Sequence, residues 1–320
     1  MAAMMTPSLI DVHHHILPPQ YVAAVGEARI GPLTVSGRTP EWSPERSLEA
    51  MARNGIAGAV TSISTPGLWF GDAKATQALA RHCNDYAAEL RLDHPMSFGM
   101  FASLPLPDVD ASLSEIGYAL DVLKADGIGL MTNYAGRYPG EADFAPVFDE
   151  LDRRKAIVYF HPTAALCGFA LDTIPAATLE FPFDTTRAIV SLLIGGTFAR
   201  CRNIRFIFSH AGGAVPFLAE RIARLEVRPE FKKSVPDGVV AELRRLRYDT
   251  ALSANRFAFR ALLELVPAAN VLFGSDYPFA PEATMTASVR GLKQLGLAAA
   301  DLLAIERGNA LELFPRFGTA

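Results

Sequence analysis

Cysteine is scarce in this chain. Cys83, Cys167 and Cys201 form an odd, scattered set with no paired spacing. That excludes a disulfide framework and a thiolate metal knuckle, and leaves three reduced packing thiols. An excess of positive charge is also missing, since 30 Lys and Arg face 34 Asp and Glu for a net charge of −4. No basic face for nucleic acid or an anionic membrane is expected. No apolar run approaches the roughly 18 residues of a membrane span, and the first residues, Met1 to Ser8, lack the cationic and apolar regions of a secretory signal. The glycine pairs Gly195-Gly196 and Gly212-Gly213 lack the spacing of a dinucleotide or phosphate loop, which removes support for a nucleotide cofactor. These absences leave a cytoplasmic protein with a small-molecule partner.

What is present is a well-filled core and a regular alternation. Half of the 320 residues are apolar and a fifth are charged, which suits one large domain over residues 1–320. Short β-type runs at 9–15, 57–64, 97–103, 127–131, 156–161, 204–210, 246–250 and 270–276 alternate with helical patterns at 43–54, 72–94, 110–125, 144–154, 185–198, 215–225 and 254–266. The strand at 246–250 carries the weakest pattern. Repeated βα units of this count and length predict an α/β fold, a closed (β/α)8 TIM barrel. Residues 17–44 form a long Pro- and Gly-bearing loop insertion after the first strand, expected to act as a lid or dimer arm at the active mouth.

The polar residues that close these runs carry the chemistry. His13 and His15 close Leu-Ile-Asp-Val-His-His-His, His161 closes Ile-Val-Tyr-Phe-His, His210 closes Phe-Ile-Phe-Ser-His, and Asp276 closes Leu-Phe-Gly-Ser-Asp. In a barrel those ends share one mouth, so residues far apart in sequence converge. Residues two apart on a strand share a face, which lets His13 and His15 ligate one ion while His14 points away. Imidazole suits a zinc-like ion. His210 precedes Ala211-Gly212-Gly213, small residues that permit a tight turn and leave room beside the ring. The fourth run ends in Met131, Thr132 and Asn133, with no lysine or glutamate to bridge a second ion, so one metal is expected rather than two.

These segments resemble the amidohydrolase superfamily, and within it the decarboxylase-rich branch that includes aminocarboxymuconate-semialdehyde decarboxylase and the 6-methylsalicylate decarboxylases. The resemblance spans nearly the whole chain and rests on Ile10-Asp11-Val12-His13-His14-His15-Ile16-Leu17-Pro18, Tyr159-Phe160-His161-Pro162, Phe208-Ser209-His210-Ala211-Gly212-Gly213 and Leu272-Phe273-Gly274-Ser275-Asp276-Tyr277-Pro278-Phe279. It implies that His13, His15, His161 and Asp276 hold one divalent metal, zinc or else manganese, with His210 beside it as acid/base or additional ligand. Arg221 matches an arginine that in the family reaches a neighbouring subunit's substrate carboxylate, which implies a homodimer. The family's first long loop supplies a further arginine. Arg38 is its candidate here and Arg46 the second.

Aromatic residues in two segments, Phe169, Phe181 and Phe183 in 167–186 and Trp69 with Phe70 after the second strand, suit a ring-stacking pocket for a planar acid. Phe183 and Trp69 are the substrate-binding candidates among them. The expected reaction is non-oxidative decarboxylation of a small aromatic, ortho-hydroxybenzoate-like acid such as 6-methylsalicylate. The ring-carbon proton would come either from Asp276 or through a water activated by His210. Alternatives are a mononuclear metal-dependent hydrolase of a lactone or amide, decarboxylation of aminocarboxymuconate semialdehyde, and a binding protein whose metal only braces the barrel.

Overall fold

Each short apolar run becomes a parallel strand. β1 (Leu9–His15), β2 (Ile56–Ser62), β3 (Phe98–Ser103), β4 (Gly127–Met131), β5 (Ile157–His161), β6 (Arg205–Phe208), β7 (Arg247–Asp249) and β8 (Val271–Leu272) pair in chain order. The computed structural model describes residues 8–164, 171 and 173–318. Val12 N donates to the Phe273 carbonyl (3.0 Å), Asp276 N to His13 O (2.8 Å) and His15 N to Tyr277 O (2.7 Å), which joins the end of the sheet to its start. The result is the expected (β/α)8 TIM barrel. β8 is far shorter than the expected 270–276, because the chain after Leu272 leaves regular pairing and turns through a left-handed Asp276 (φ 64°).

Helices fill the connections and begin where capping chemistry allows. Ser43, Asp72, Asp108 and Asn255 accept backbone amides at the starts of Pro44–Asn54, Ala73–Asp93, Val109–Gly117 and Arg256–Leu265. The structure adds helices at Pro229–Ser234, Val239–Arg244 and Glu282–Lys293 that had no expected counterpart, and it shifts one that had. Ala176–Ile194 starts nine residues before the expected 185 and runs through Pro182, a residue that removes one backbone donor and so reads in sequence as a boundary. The 17–44 excursion is partly helical, with Pro19–Val25 and Glu27–Ile30, and is pinned by buried Tyr21, whose hydroxyl donates to the Gly67 carbonyl at 3.1 Å.

The lumen is a packed core. Ile10, Val12, Val60, Phe101, Tyr159 and Ile207 fill it, and Phe314 and Phe317 plug it at the end away from the site. Gly58 and Gly99 make room for that plug: a Cβ on Gly58 would stand 2.6 Å from the Phe317 ring. A second apolar layer lies between strands and helices and includes Cys83 and Cys201, both free and buried. Cys167 and Phe169 lie outside the described residues. Among the described residues no helix is long and apolar enough to cross a membrane.

A bulge in β1 decides which side chains reach the site. Asp11 pairs with Ala59 and His14 with Thr61, so β1 advances three residues while β2 advances two. The extra residue inverts the alternation. Below it Ile10 and Val12 face the lumen core; above it His13 and His15 face inward and His14 faces the helices.

Candidate active site

Four side chains from two strand ends, those of β1 and β5, and the turn after β8 meet at the mouth of the barrel. One ligand atom each of His13, His15, His161 and Asp276 lies within 4.8 Å of all the others, and all four residues are buried. His13 Nε2 and His15 Nε2 are 3.0 Å apart, and Asp276 Oδ1 stands 3.2 Å and 3.1 Å from them. His161 Nε2 is 3.9 Å from the same oxygen, beyond hydrogen-bond reach.

The surrounding hydrogen bonds assign the ring tautomers. His13 Nδ1–H donates to Asp249 Oδ2 at 2.8 Å, and His15 Nδ1–H faces the Ser62 carbonyl at 3.3 Å. Both Nε2 atoms then present lone pairs to one another and to a carboxylate oxygen. Among the described residues both ring nitrogens of buried His161 lack any hydrogen-bond partner. Converging acceptors and an orphaned buried imidazole are costly unless a cation stands among them. Ligands about 2.05 Å from a tetrahedral ion stand roughly 3.3 Å apart, close to the spacing found here. The donor set therefore fits a single divalent metal.

Electrostatics point the same way. Burial, then the neighbouring His13, hold His15 down at about 4; burial, then His15, hold His161 at about 3. His210 is also lowered, first by burial and then by His13. These rings are neutral at neutral pH, the form a metal ligand needs. Burial would lower His13 too, but Asp249 and Asp276 outweigh it and raise the ring to about 10. Burial favours the neutral acid for both carboxylates, yet His13 overrides it and holds Asp249 below, and Asp276 well below, the ordinary value. Without an ion, two fixed carboxylates draw a proton onto His13 in the place where a metal would supply the charge.

Asp249 is the residue that sequence reasoning missed. Besides holding His13, its Oδ1 accepts the backbone amides of His210 and Ala251, both at 2.9 Å. The missed signal was its place one residue before the end of the seventh run, 246–250, close to the strand-end placement that marked His161. His210 sits beside the cluster, its ring centroid 4.9 Å from that of His13, with Nδ1 donating to the Ala251 carbonyl at 3.1 Å and Nε2 left as acceptor. His210, Ala211 and Asp276 all adopt left-handed backbone (φ 51°, 56° and 64°), a strain that non-glycine residues carry chiefly at functional sites. Gly213 is required for packing, since a Cβ there would lie 2.0 Å from the Pro182 carbonyl oxygen. At the end of β4, Thr132 and Asn133 are committed to the buried carboxylate of Asp184 rather than to the cluster.

Above the cluster opens a cavity of about 800 Å³. His161, His210 and Asp276 form its floor, and Phe181, Tyr277 and Phe279 are its aromatic walls. Arg46 and Glu41, paired at 2.9 Å, stand on the side formed by the first excursion, with residues 33–36. Among the described residues, Arg38, Trp69, Phe183 and Arg221 are not part of this wall. Arg38 is exposed on the excursion and Trp69 is half-buried after β2. Phe183 is 42% exposed because it lies two residues, about 200° of helix, from Phe181. Arg221 is exposed on the helix Val215–Ala223.

A family profile described as Amidohydrolase matches residues 10–316. The chain belongs to the amidohydrolase family. This amidohydrolase is 36% identical to the 6-methylsalicylic acid decarboxylase of Penicillium expansum over 96% of each chain. It superposes on a crystal structure described as an amidohydrolase II with a TM-score of 0.89 and 30% identity, over 96% of this chain and all of that one. The 5-carboxyvanillate decarboxylase of Novosphingobium aromaticivorans, solved with manganese and 4-hydroxy-3-methoxy-5-nitrobenzoic acid, shares the fold at a TM-score of 0.83 and 19% identity, over 96% of both chains.

Proposed function

We propose that this chain is a metal-dependent, non-oxidative decarboxylase of a small aromatic acid with a hydroxyl ortho to its carboxylate, with 6-methylsalicylate as the reference compound. One observation carries the reading: three imidazoles and a carboxylate within 4.8 Å of one another lie where a ring-walled cavity narrows to its floor. The likeness to a 6-methylsalicylic acid decarboxylase along nearly the full chain supports the substrate class.

His13, His15, His161 and Asp276 would hold the ion. Zinc suits the imidazole-rich donors, and manganese is the ion present in the 5-carboxyvanillate enzyme. When bound, such an ion supplies a positive field for the substrate's oxygens and several kcal/mol of charge stabilisation.

The chain's own residues do the rest. Phe181, Tyr277 and Phe279 offer ring surface to a benzene ring and exclude water around it. Arg46 offers a cation for substrate oxygens on the outer wall. Decarboxylation needs a proton on the carbon that bears the carboxylate; the carbon–carbon bond then breaks, its electron pair restores the aromatic ring, and carbon dioxide leaves. His210 and Asp276 border the space where that carbon would sit. His210 takes a proton from water at Nε2 and passes it to that carbon, the hydroxide left behind returning to solvent, with its ring orientation held by Ala251. Such positioned proton transfer contributes roughly 100- to 10,000-fold.

A homodimer completes the reading, supported by the exposure of Arg221 and of Phe217 on one helix. The test is turnover of hydroxybenzoates in deuterated water. Release of carbon dioxide with one deuterium at the vacated ring carbon is expected. Ring opening of a lactone without gas release would favour the hydrolase instead.

A further inference from the structure

The middle histidine of the His13-His14-His15 run takes no part in the cluster, yet it is fully buried with both ring nitrogens engaged. His14 Nδ1 lies 3.1 Å from Asp11 Oδ2, and Nε2 lies 2.9 Å from Ser47 Oγ. The indole Nε1–H of Trp42 donates to the same Ser47 oxygen at 2.9 Å. An indole nitrogen only donates and a carboxylate only accepts, which orders the protons in one direction. Trp42 donates to Ser47, Ser47 to His14 Nε2, and His14 Nδ1–H to Asp11.

Asp11 anchors the inner end. Its Oδ1 accepts the backbone amides of His13 and Ser275, each at 3.0 Å, and its Oδ2 accepts the Ser275 hydroxyl at 2.5 Å. Asp11 thereby holds β1 and the turn that presents Asp276. At the outer end, Trp42 and Ser47 bracket Arg46, and Pro40, Glu41 and Arg46 all belong to the cavity wall. One run of hydrogen bonds thus connects the rim of the cavity to its floor.

We propose that His14 is a positioning residue: it ties rim segment 40–47 to the floor through Asp11 and so sets where Arg46 stands relative to the ligand cluster. Imidazole suits the task because it donates at one nitrogen and accepts at the other, which spans a carboxylate and a hydroxyl. Without it Asp11 keeps three donors, so His13 and Asp276 stay held while the rim loses this tie. The inference rests on the decarboxylase reading for the substrate whose KM is measured.

The test compares metal-loaded His14→Ala, His14→Gln and Ser47→Ala enzymes with the parent. Ser47→Ala breaks the tie from the helix side and leaves β1 untouched, which keeps the question open to measurement if His14→Ala does not fold. Expected is a KM for the aromatic acid raised about 10- to 100-fold in both alanine variants, with kcat and bound metal per chain little changed. Gln, which also donates and accepts, should recover much of the loss. Trp42 emission, read in a Trp69→Phe background, should shift to the red as the indole's partner loosens. Unchanged KM with unchanged Trp42 emission would overturn the proposal, and so would parallel losses of kcat, KM and metal, which mark general structural damage. If the parent enzyme decarboxylated no aromatic acid, the functional reading would fall while Trp42 emission still decided the tie.

Discussion

At the residue scale, the site is a negotiation between burial and charge. Asp276 adopts a left-handed backbone that asparagine also tolerates, so Asp276→Asn tests charge without adding strain. Turnover should fall at least about 100-fold with an unchanged circular dichroism spectrum; retained activity would remove the carboxylate from the mechanism. Asp249→Ala frees the His13 ring to rotate and should weaken metal affinity roughly 10- to 100-fold, read by competition with a chelator. In the demetallated protein His15 and His161 are lowered to about 4 and about 3, chiefly by burial, whereas unfolded imidazoles titrate near 6.5. The unfolded chain then binds more protons, so these two rings cost stability as pH falls from 6.5 towards 4. His13, raised to about 10, acts in the opposite sense: its contribution is full below 6.5 and is lost as pH rises through 10. Urea midpoints across pH should therefore peak near the ordinary imidazole value, and a flat profile on the acid side would contradict the assignment. The four clustered residues were legible in the sequence because each closes an apolar run. Asp249 was not, because three strand residues leave too little pattern to mark the end that it occupies.

At the scale of elements, strands were easier to read than the loops between them. Apolar runs are dictated by burial on both faces of a parallel sheet, and that constraint is local. The β1 bulge is not local: it depends on register with β2, and no property of His13 to His15 alone reveals it. Arg38 and Trp69 lie in loops, which carry no periodicity, and Phe183 lies in a stretch that the sequence placed before the helix at 185, which is why these three were picked out while Arg46 and Phe181 turn out to line the cavity. The helix Ala176–Ile194 makes the last point measurable. Phe181→Ala should raise KM for an aromatic acid several-fold more than Phe183→Ala does, because the two rings lie on nearly opposite faces of the helix. Equal effects would place the substrate elsewhere in the cavity.

At the scale of the whole molecule, the barrel divides its labour along one axis. Phe314, Phe317 and their lumen neighbours close one end with apolar packing, and the strand ends at the other gather polar side chains contributed by residues as distant as 13 and 276. Packing fixes the staves, so the imidazoles and carboxylate are held in place before any ion arrives, which is what preorganised catalysis requires. The central claim is that a cation held by those groups is needed for loss of carbon dioxide from an aromatic acid. It is tested most directly by stripping the protein with a chelator and titrating zinc or manganese back while following carbon dioxide release from 6-methylsalicylate. Release should vanish on stripping and return to a plateau at one ion per chain; undiminished release from the stripped protein would contradict the account.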